Sequence, residues 1–218
     1  MTLYEKAVQY ENAGEFGKAF ELLRQCLSAR CHDEGEIHFH LGWSLEQDPK
    51  GDRAAIVSSY EQAAVKAPAI LMRVNAFFRA GWVLLHEREY ARAAGSFRCA
   101  VDLAERSGLD HDLLPQALHW GAVCLEQTGQ YLEAAAHYAR VQGLSPLLAP
   151  ESHYREILCH NQVGQYAEAL AVCRSFPGAA PEGFDAARYS ELLAQVRKEE
   201  TLLVRCLAEE SAVREDAR

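Results

Sequence analysis

The chain has 218 residues, a formal net charge of −9 and 49% hydrophobic residues, enough apolar side chain to bury a core and to exclude disorder. It contains no run of the roughly 18–20 apolar residues that a membrane span needs, and its first ten residues lack the apolar stretch of an export signal, so a cytoplasmic protein with no membrane partner is expected. The acidic balance and the lack of any basic run also argue against a nucleic-acid partner, whose phosphates require clustered Lys and Arg.

Apolar residues at helical spacing, separated by turn residues, predict helices near 2–13, 16–30, 34–47, 52–66, 70–87, 90–107, 112–128, 131–142, 151–163 and 166–175. The stretch Phe176-Pro177-Gly178-Ala179-Ala180-Pro181 then breaks the pattern. A last helix is expected from about 183 to 211, with Leu192, Leu193, Val196, Leu203 and Leu207 on one face.

A motif recurs along these helices: Gly14-Glu15-Phe16 with Ala19, Glu89-Tyr90 with Ala93, Gly129-Gln130-Tyr131 with Ala134, and Gly164-Gln165-Tyr166 with Ala169. Four residues after each Ala stands Leu23, Phe97, Tyr138 or Cys173. The second unit is degenerate, with Asp48-Pro49-Lys50-Gly51 at its turn and Ile56 and Tyr60 in its second helix. The first helix of each pair carries a small residue (Ala7, Gly42, Gly81, Ala122) where a partner helix crosses closely, flanked at helical spacing by same-face residues such as Phe77 and Leu84. Such hairpins cannot bury their apolar faces alone, so neighbours must stack.

These residues resemble the tetratricopeptide repeat family, in five hairpins at about 2–31, 34–68, 70–107, 112–146 and 150–176. The resemblance implies an all-α, right-handed α-solenoid of stacked antiparallel hairpins forming one domain over 1–218, with the last helix as a capping element. The sequence departs from the family pattern in three respects. The small residues at 42, 81 and 122 lie farther apart than the family's repeat of about 34 residues, and the Trp usual near the start of each hairpin is replaced by Leu3, His38, Phe77, Leu118 and His153. The fifth hairpin has Ile157 at the small position.

The resemblance further implies that the first helices line a concave groove in which partners sit. The groove face lies about 100° around from the packing face. It should hold the residues three before the small position (Tyr4, Phe39, Phe78, His119, Tyr154), one after it (Val8, Trp43, Trp82, Val123, Leu158) and two before it (Glu5, His40, Arg79, Trp120, Arg155). All three tryptophans fall in this set. Aromatic and Arg side chains are common interface anchors, which points to an adaptor or scaffold binding a protein or peptide segment with apolar side chains, with Arg79 and Arg155 meeting a carboxylate or carbonyl. The same tryptophans would serve equally as core, and the last helix would fill the groove if it folded back. Co-chaperones of the family that hold acidic chaperone tails use Lys and Asn on their first groove helix, where this chain has Tyr4 and Val8, so that partner is not expected.

Two other functions fit the same groove: a sensor of a small apolar or peptide signal, and an accessory protein docking on an enzyme. A homodimer through the last helix is the alternative to its capping role. No phosphate loop, nucleophile elbow or paired catalytic carboxylates stand out, so no catalytic residue, metal or cofactor is assigned and an enzyme is not expected. Cys26, Cys31, His32, His38 and His40 crowd together but lack zinc-ligand spacing. The seven cysteines, at 26, 31, 99, 124, 159, 173 and 206, read as reduced thiols serving as small apolar residues. Cys124 and Cys159 occupy equivalent sites in adjacent repeats, and His160 reads as a buried neutral histidine.

Overall fold

A computed structural model describes residues 1–109 and 111–216, and every regular element among them is a helix. In chain order these are α1 (Leu3–Asn12), α2 (Phe16–Ala29), α3 (Glu34–Glu46), α4 (Arg53–Lys66), α5 (Ile70–His86), α6 (Tyr90–Arg106), α7 (Leu113–Gln127), α8 (Tyr131–Leu144), α9 (Ala149–Gln162), α10 (Tyr166–Ser175) and α11 (Ala186–Asp216). Local chemistry sets several starts. Thr2 and Glu5 form a reciprocal capping box on α1, and Asp33 and Asp52 accept backbone N–H bonds at the heads of α3 and α4.

The recurring Gly-x-aromatic motif is the hairpin turn. Gly14, Gly129 and Gly164 take φ of 73°, 77° and 74°, and in the third hairpin Arg88 takes the same left-handed conformation at φ 61°. The following N–H groups return to the preceding helix, as Glu15 does to the Tyr10 carbonyl at 2.8 Å and Gln130 to the Leu125 carbonyl at 2.8 Å. Carbonyls that the helix end leaves unpaired are thereby satisfied.

Contacts divide the chain into two compact units, Met1–Ala117 and Leu118–Arg218, with the boundary inside α7. In the first unit, Ala7, Leu23, Cys26, Ile37 and Leu41 form one buried cluster. The small positions act through close approach. A Cβ on Gly42 would lie 3.0 Å from the Tyr60 ring, and one on Gly81 would lie 3.0 Å from Phe97. Gly35 is tighter still, because a Cβ there would meet the Ala67 backbone nitrogen at 2.1 Å.

In the second unit, Ile157, Ala169, Leu170 and Cys173 are buried together with Tyr189, Leu192, Val196 and Leu203 of α11. The last helix therefore packs on α9 and α10 and covers their apolar face, as expected of a cap.

One expectation about the cysteines is corrected. Cys26 and Cys31 form a disulfide, whereas Cys99, Cys124, Cys159, Cys173 and Cys206 are free thiols. In a straight helix, residues five apart point to different faces. Here Arg30 turns left-handed (φ 49°) and brings Cys31 back over Cys26, with Cα atoms 5.3 Å apart. Burial pushes the Cys124 and Cys173 thiols up to about 12, which keeps them protonated and inert.

Candidate functional site

The first unit holds a cleft of about 390 Å³ on the face where the first helices of its hairpins present their expected groove residues. Phe39, His40 and Trp43 of α3 and Arg79 of α5 line it, together with Val8 of α1 and Phe16 of α2. Helical spacing explains the gathering. Residues 39, 40 and 43 occupy neighbouring positions on one side of α3, because steps of one, three and four keep within a single face. The Arg79 guanidinium carbon lies over the Trp43 indole, 4.3 Å from the ring centroid, a cation–π contact, and Phe39 meets Tyr60 edge-on at 5.6 Å.

Other expected groove residues sit elsewhere. Tyr4 stacks on His32 at 3.6 Å and donates its hydroxyl to Glu36 at 3.4 Å. Phe78 and Trp82 stack on each other with centroids 6.4 Å apart, and His86 meets Trp82 edge-on at 4.7 Å. In the second unit Trp120 lies edge-on to His119 at 5.1 Å. Tyr154 is half-buried and packs against the cluster that α11 completes.

His119 departs from its expected place on an open groove. It is only 4% exposed, lies edge-on to Tyr138 at 5.6 Å, and shares a 2.8 Å hydrogen bond between Nδ1 and Ser152 Oγ. Burial, with the Arg155 charge nearby, holds its imidazole well below the usual range, at about 4. It belongs to the core. His160 is half-buried rather than fully so, and Nδ1 lies 2.7 Å from Gln165 Oε1.

The expectation that Arg79 and Arg155 await a partner's carboxylate also needs correction, because the chain supplies carboxylates itself. Glu46 and Glu126 stand four residues after the small position on their helices. Arg79 Nη1 lies 3.3 Å from Glu46 Oε2, and Arg155 Nη1 lies 2.7 Å from Glu126 Oε2. In each case the tyrosine of the intervening helix donates to the same carboxylate, Tyr60 at 2.5 Å and Tyr138 at 2.6 Å. Burial and the adjacent carboxylates raise both phenols far above their usual range, so they remain donors.

The register extends to the first hairpin, where Glu11 binds His40 Nδ1 at 2.6 Å and Ser44 Oγ at 2.7 Å. Each rung ties the end of one hairpin's first helix to the next hairpin's first helix. Glu11, whose side chain is 5% exposed, thus has a hydrogen-bond partner on each carboxylate oxygen, as a buried polar group requires. The usable signal was register: Glu four after the small position, and His or Arg two before the next one.

Glu11, His40 and Ser44 have the composition of a nucleophilic triad but not its wiring. In a triad the serine donates to the histidine, whereas Ser44 and His40 both bind the carboxylate. The crowded Cys and His residues are likewise spoken for: Cys26 by Cys31, His32 by Glu36 at 2.6 Å and His40 by Glu11. Among the described residues no group of three or more His, Cys, Asp or Glu side chains is placed to hold a metal ion. No helix among them is long and apolar enough to cross a membrane.

With this geometry in place, comparison with known proteins defines the class. Residues 125–184, within the second unit, match the tetratricopeptide repeat family model. Among solved structures, MamA of AMB-1 superposes with a TM-score of 0.62 at 20% identity, covering 85% of this chain and 93% of that one. A second MamA structure gives 0.61 at 14% identity over 91% and 92% of the two chains. RapI in its apo form gives 0.62 at 16% identity over 97% and 82%. No curated protein matches the sequence. Residues 125–184 thus carry repeats of tetratricopeptide type, and the chain as a whole is all-helical with the α-solenoid fold of these structures.

Proposed function

We propose that the chain is a protein–protein interaction module that takes a peptide or protein segment with apolar side chains in the cleft of its first unit. The observation that carries this reading is the cleft itself. About 390 Å³ is bounded by Phe39, Trp43, Phe16 and Val8 and edged by His40 and Arg79. That is room for one or two apolar side chains beside groups able to bond a peptide backbone. Arg79 is tied to Glu46 through Nη1 and stacked on Trp43, so it presents a fixed plane and costs little entropy on binding. Its role is to orient a segment, while the apolar walls supply the affinity.

The immobilised chain is expected to retain a polypeptide. Trp43→Ala should lower that retention by about tenfold or more, the effect of losing one anchoring aromatic, with far-ultraviolet circular dichroism unchanged. Three results would overturn the reading: retention that survives Trp43→Ala, loss of helicity along with binding, or a small molecule recovered from the cleft instead of a polypeptide.

A further inference from the structure

The disulfide sits at a defined place in the fold. The Arg30 N–H bonds the Leu27 carbonyl at 3.2 Å and the Cys31 N–H bonds the Cys26 carbonyl at 3.2 Å, with Arg30 left-handed between them. This helix-ending motif ordinarily returns an apolar residue over the one five positions earlier. Here that contact is made by two sulfurs. Cys26 is fully buried in the core beside Ala7 and Leu23, whereas Cys31 is exposed. A cavity of about 520 Å³, lined by Arg30, His32 and Glu34, opens beside the same connection.

The next residues lead into a second network. His32 stacks on Tyr4 of α1, and both rings reach Glu36, His32 Nε2 at 2.6 Å and Tyr4 Oη at 3.4 Å. Asp33 then caps α3 by accepting the Glu36 N–H at 2.9 Å. The short connection between α2 and α3 is thus clipped at one end by the disulfide and at the other by the cap, with the His32–Tyr4 stack between. A residue with a side chain resists the left-handed conformation that Arg30 adopts, and a cross-link from 26 to 31 removes the open alternatives.

We infer that Cys26–Cys31 is a redox latch on the α2–α3 connection, opened by a dithiol reductant at Cys31 and coupled through His32 to Tyr4. One thiolate of the dithiol attacks Sγ of Cys31, the exposed sulfur. The Sγ–Sγ bond breaks and its electron pair leaves on Cys26, which takes up a proton. The second thiolate of the dithiol then attacks the mixed disulfide and releases Cys31, which is protonated in turn. Two protein thiols form, the dithiol becomes a disulfide, and two electrons have moved. Opening lets Arg30 leave its left-handed well, loosens the last turn of α2 and takes His32 off Tyr4. The inference goes beyond the proposed cleft, since none of these residues lines it.

The test uses the whole chain without a partner. After equilibration with oxidised glutathione and unfolding in alkylating reagent, Cys26 and Cys31 should be unlabelled and recovered as one linked peptide, while the buried thiols Cys124, Cys159 and Cys173 are labelled. After dithiothreitol all seven should be labelled. Hydrogen exchange of the amides from Cys31 to Glu36 should be about tenfold faster in the reduced chain than in the oxidised one, the scale on which a short cross-link restrains local opening. The double variant Cys26→Ser, Cys31→Ser should exchange at the fast rate under both conditions. Seven labelled cysteines after oxidised glutathione, a glutathione adduct on Cys31 in place of the linked pair, or equal exchange in both redox states would overturn the latch. Because no partner takes part, these outcomes are separate from success or failure of the cleft reading.

Discussion

His119 offers a sharp test of how the second unit is built, because its burial gives a pH dependence with a definite sign. The imidazole is held at about 4 against an ordinary 6.5. Desolvation is the main cause, and Arg155, with a charge-raising effect overridden from Glu151, completes the environment. A histidine depressed on folding binds its proton more readily when unfolded. The stability it supports is therefore complete above about pH 6.5, is lost as pH falls toward 4, and declines no further below that. At about 1.4 kcal/mol per pH unit the full gap is worth about 3 kcal/mol, and close to 2 kcal/mol of it falls between about pH 7 and pH 5. Urea unfolding of the wild type and of His119→Gln, followed by circular dichroism across that range, isolates the effect, because all other titrating groups are common to both chains. The difference in stability between wild type and variant should shift by about 2 kcal/mol in the variant's favour on acidification. Parallel pH profiles for the two chains would refute the assignment of His119 to the core.

Further substitutions probe the rungs and the turns. Arg155→Met leaves Glu126, whose side chain is 13% exposed, without its cation. It should destabilise the chain by about 2–3 kcal/mol, and adding Glu126→Gln should recover at least about half in a double-mutant cycle read by urea unfolding. Gly35→Ala drives a methyl group into the Ala67 backbone, which has no side chain to swing away, so a loss of about 3 kcal/mol or more is expected in the same assay. Arg88→Gly relieves a left-handed side-chain residue and should raise stability by about 1 kcal/mol, seen as a higher melting temperature.

The helices were legible because their signal is local and repeated. The expected α2 at 16–30 and α10 at 166–175 compare with Phe16–Ala29 and Tyr166–Ser175. The small-position residues Ala7 and Ala122 and the recurring motif alanines Ala19, Ala93, Ala134 and Ala169 are all completely buried. A small residue at a fixed register leaves its mark in the sequence however the hairpins are later stacked. Gly35 escaped notice because its constraint comes from the end of α4, outside the repeat's own register. The disulfide escaped for a related reason: the spacing of 26 and 31 fits no helical face, and one left-handed arginine makes the pair.

Four of the residues expected on one face line a single cleft, and one of them has a partner within the chain that its own position does not reveal. Phe39, His40, Trp43 and Arg79 do meet at one cleft, yet a basic residue chosen as a free anchor proved to be half of a rung. The rung could not be seen one residue at a time, since Glu46 and Arg79 are distant in sequence and look like ordinary surface charges separately. They become informative only as a repeated offset, because Glu11 with His40, Glu46 with Arg79, and Glu126 with Arg155 keep the same two register positions. That repetition has a physical consequence for binding. An arginine already held by a carboxylate and an indole has paid most of its ordering entropy before any ligand arrives, so what it loses in net charge it recovers as fixed geometry. If the cleft takes a segment as proposed, that segment meets a rigid polar edge over an apolar floor, and selection there would rest on shape and apolar fit more than on charge.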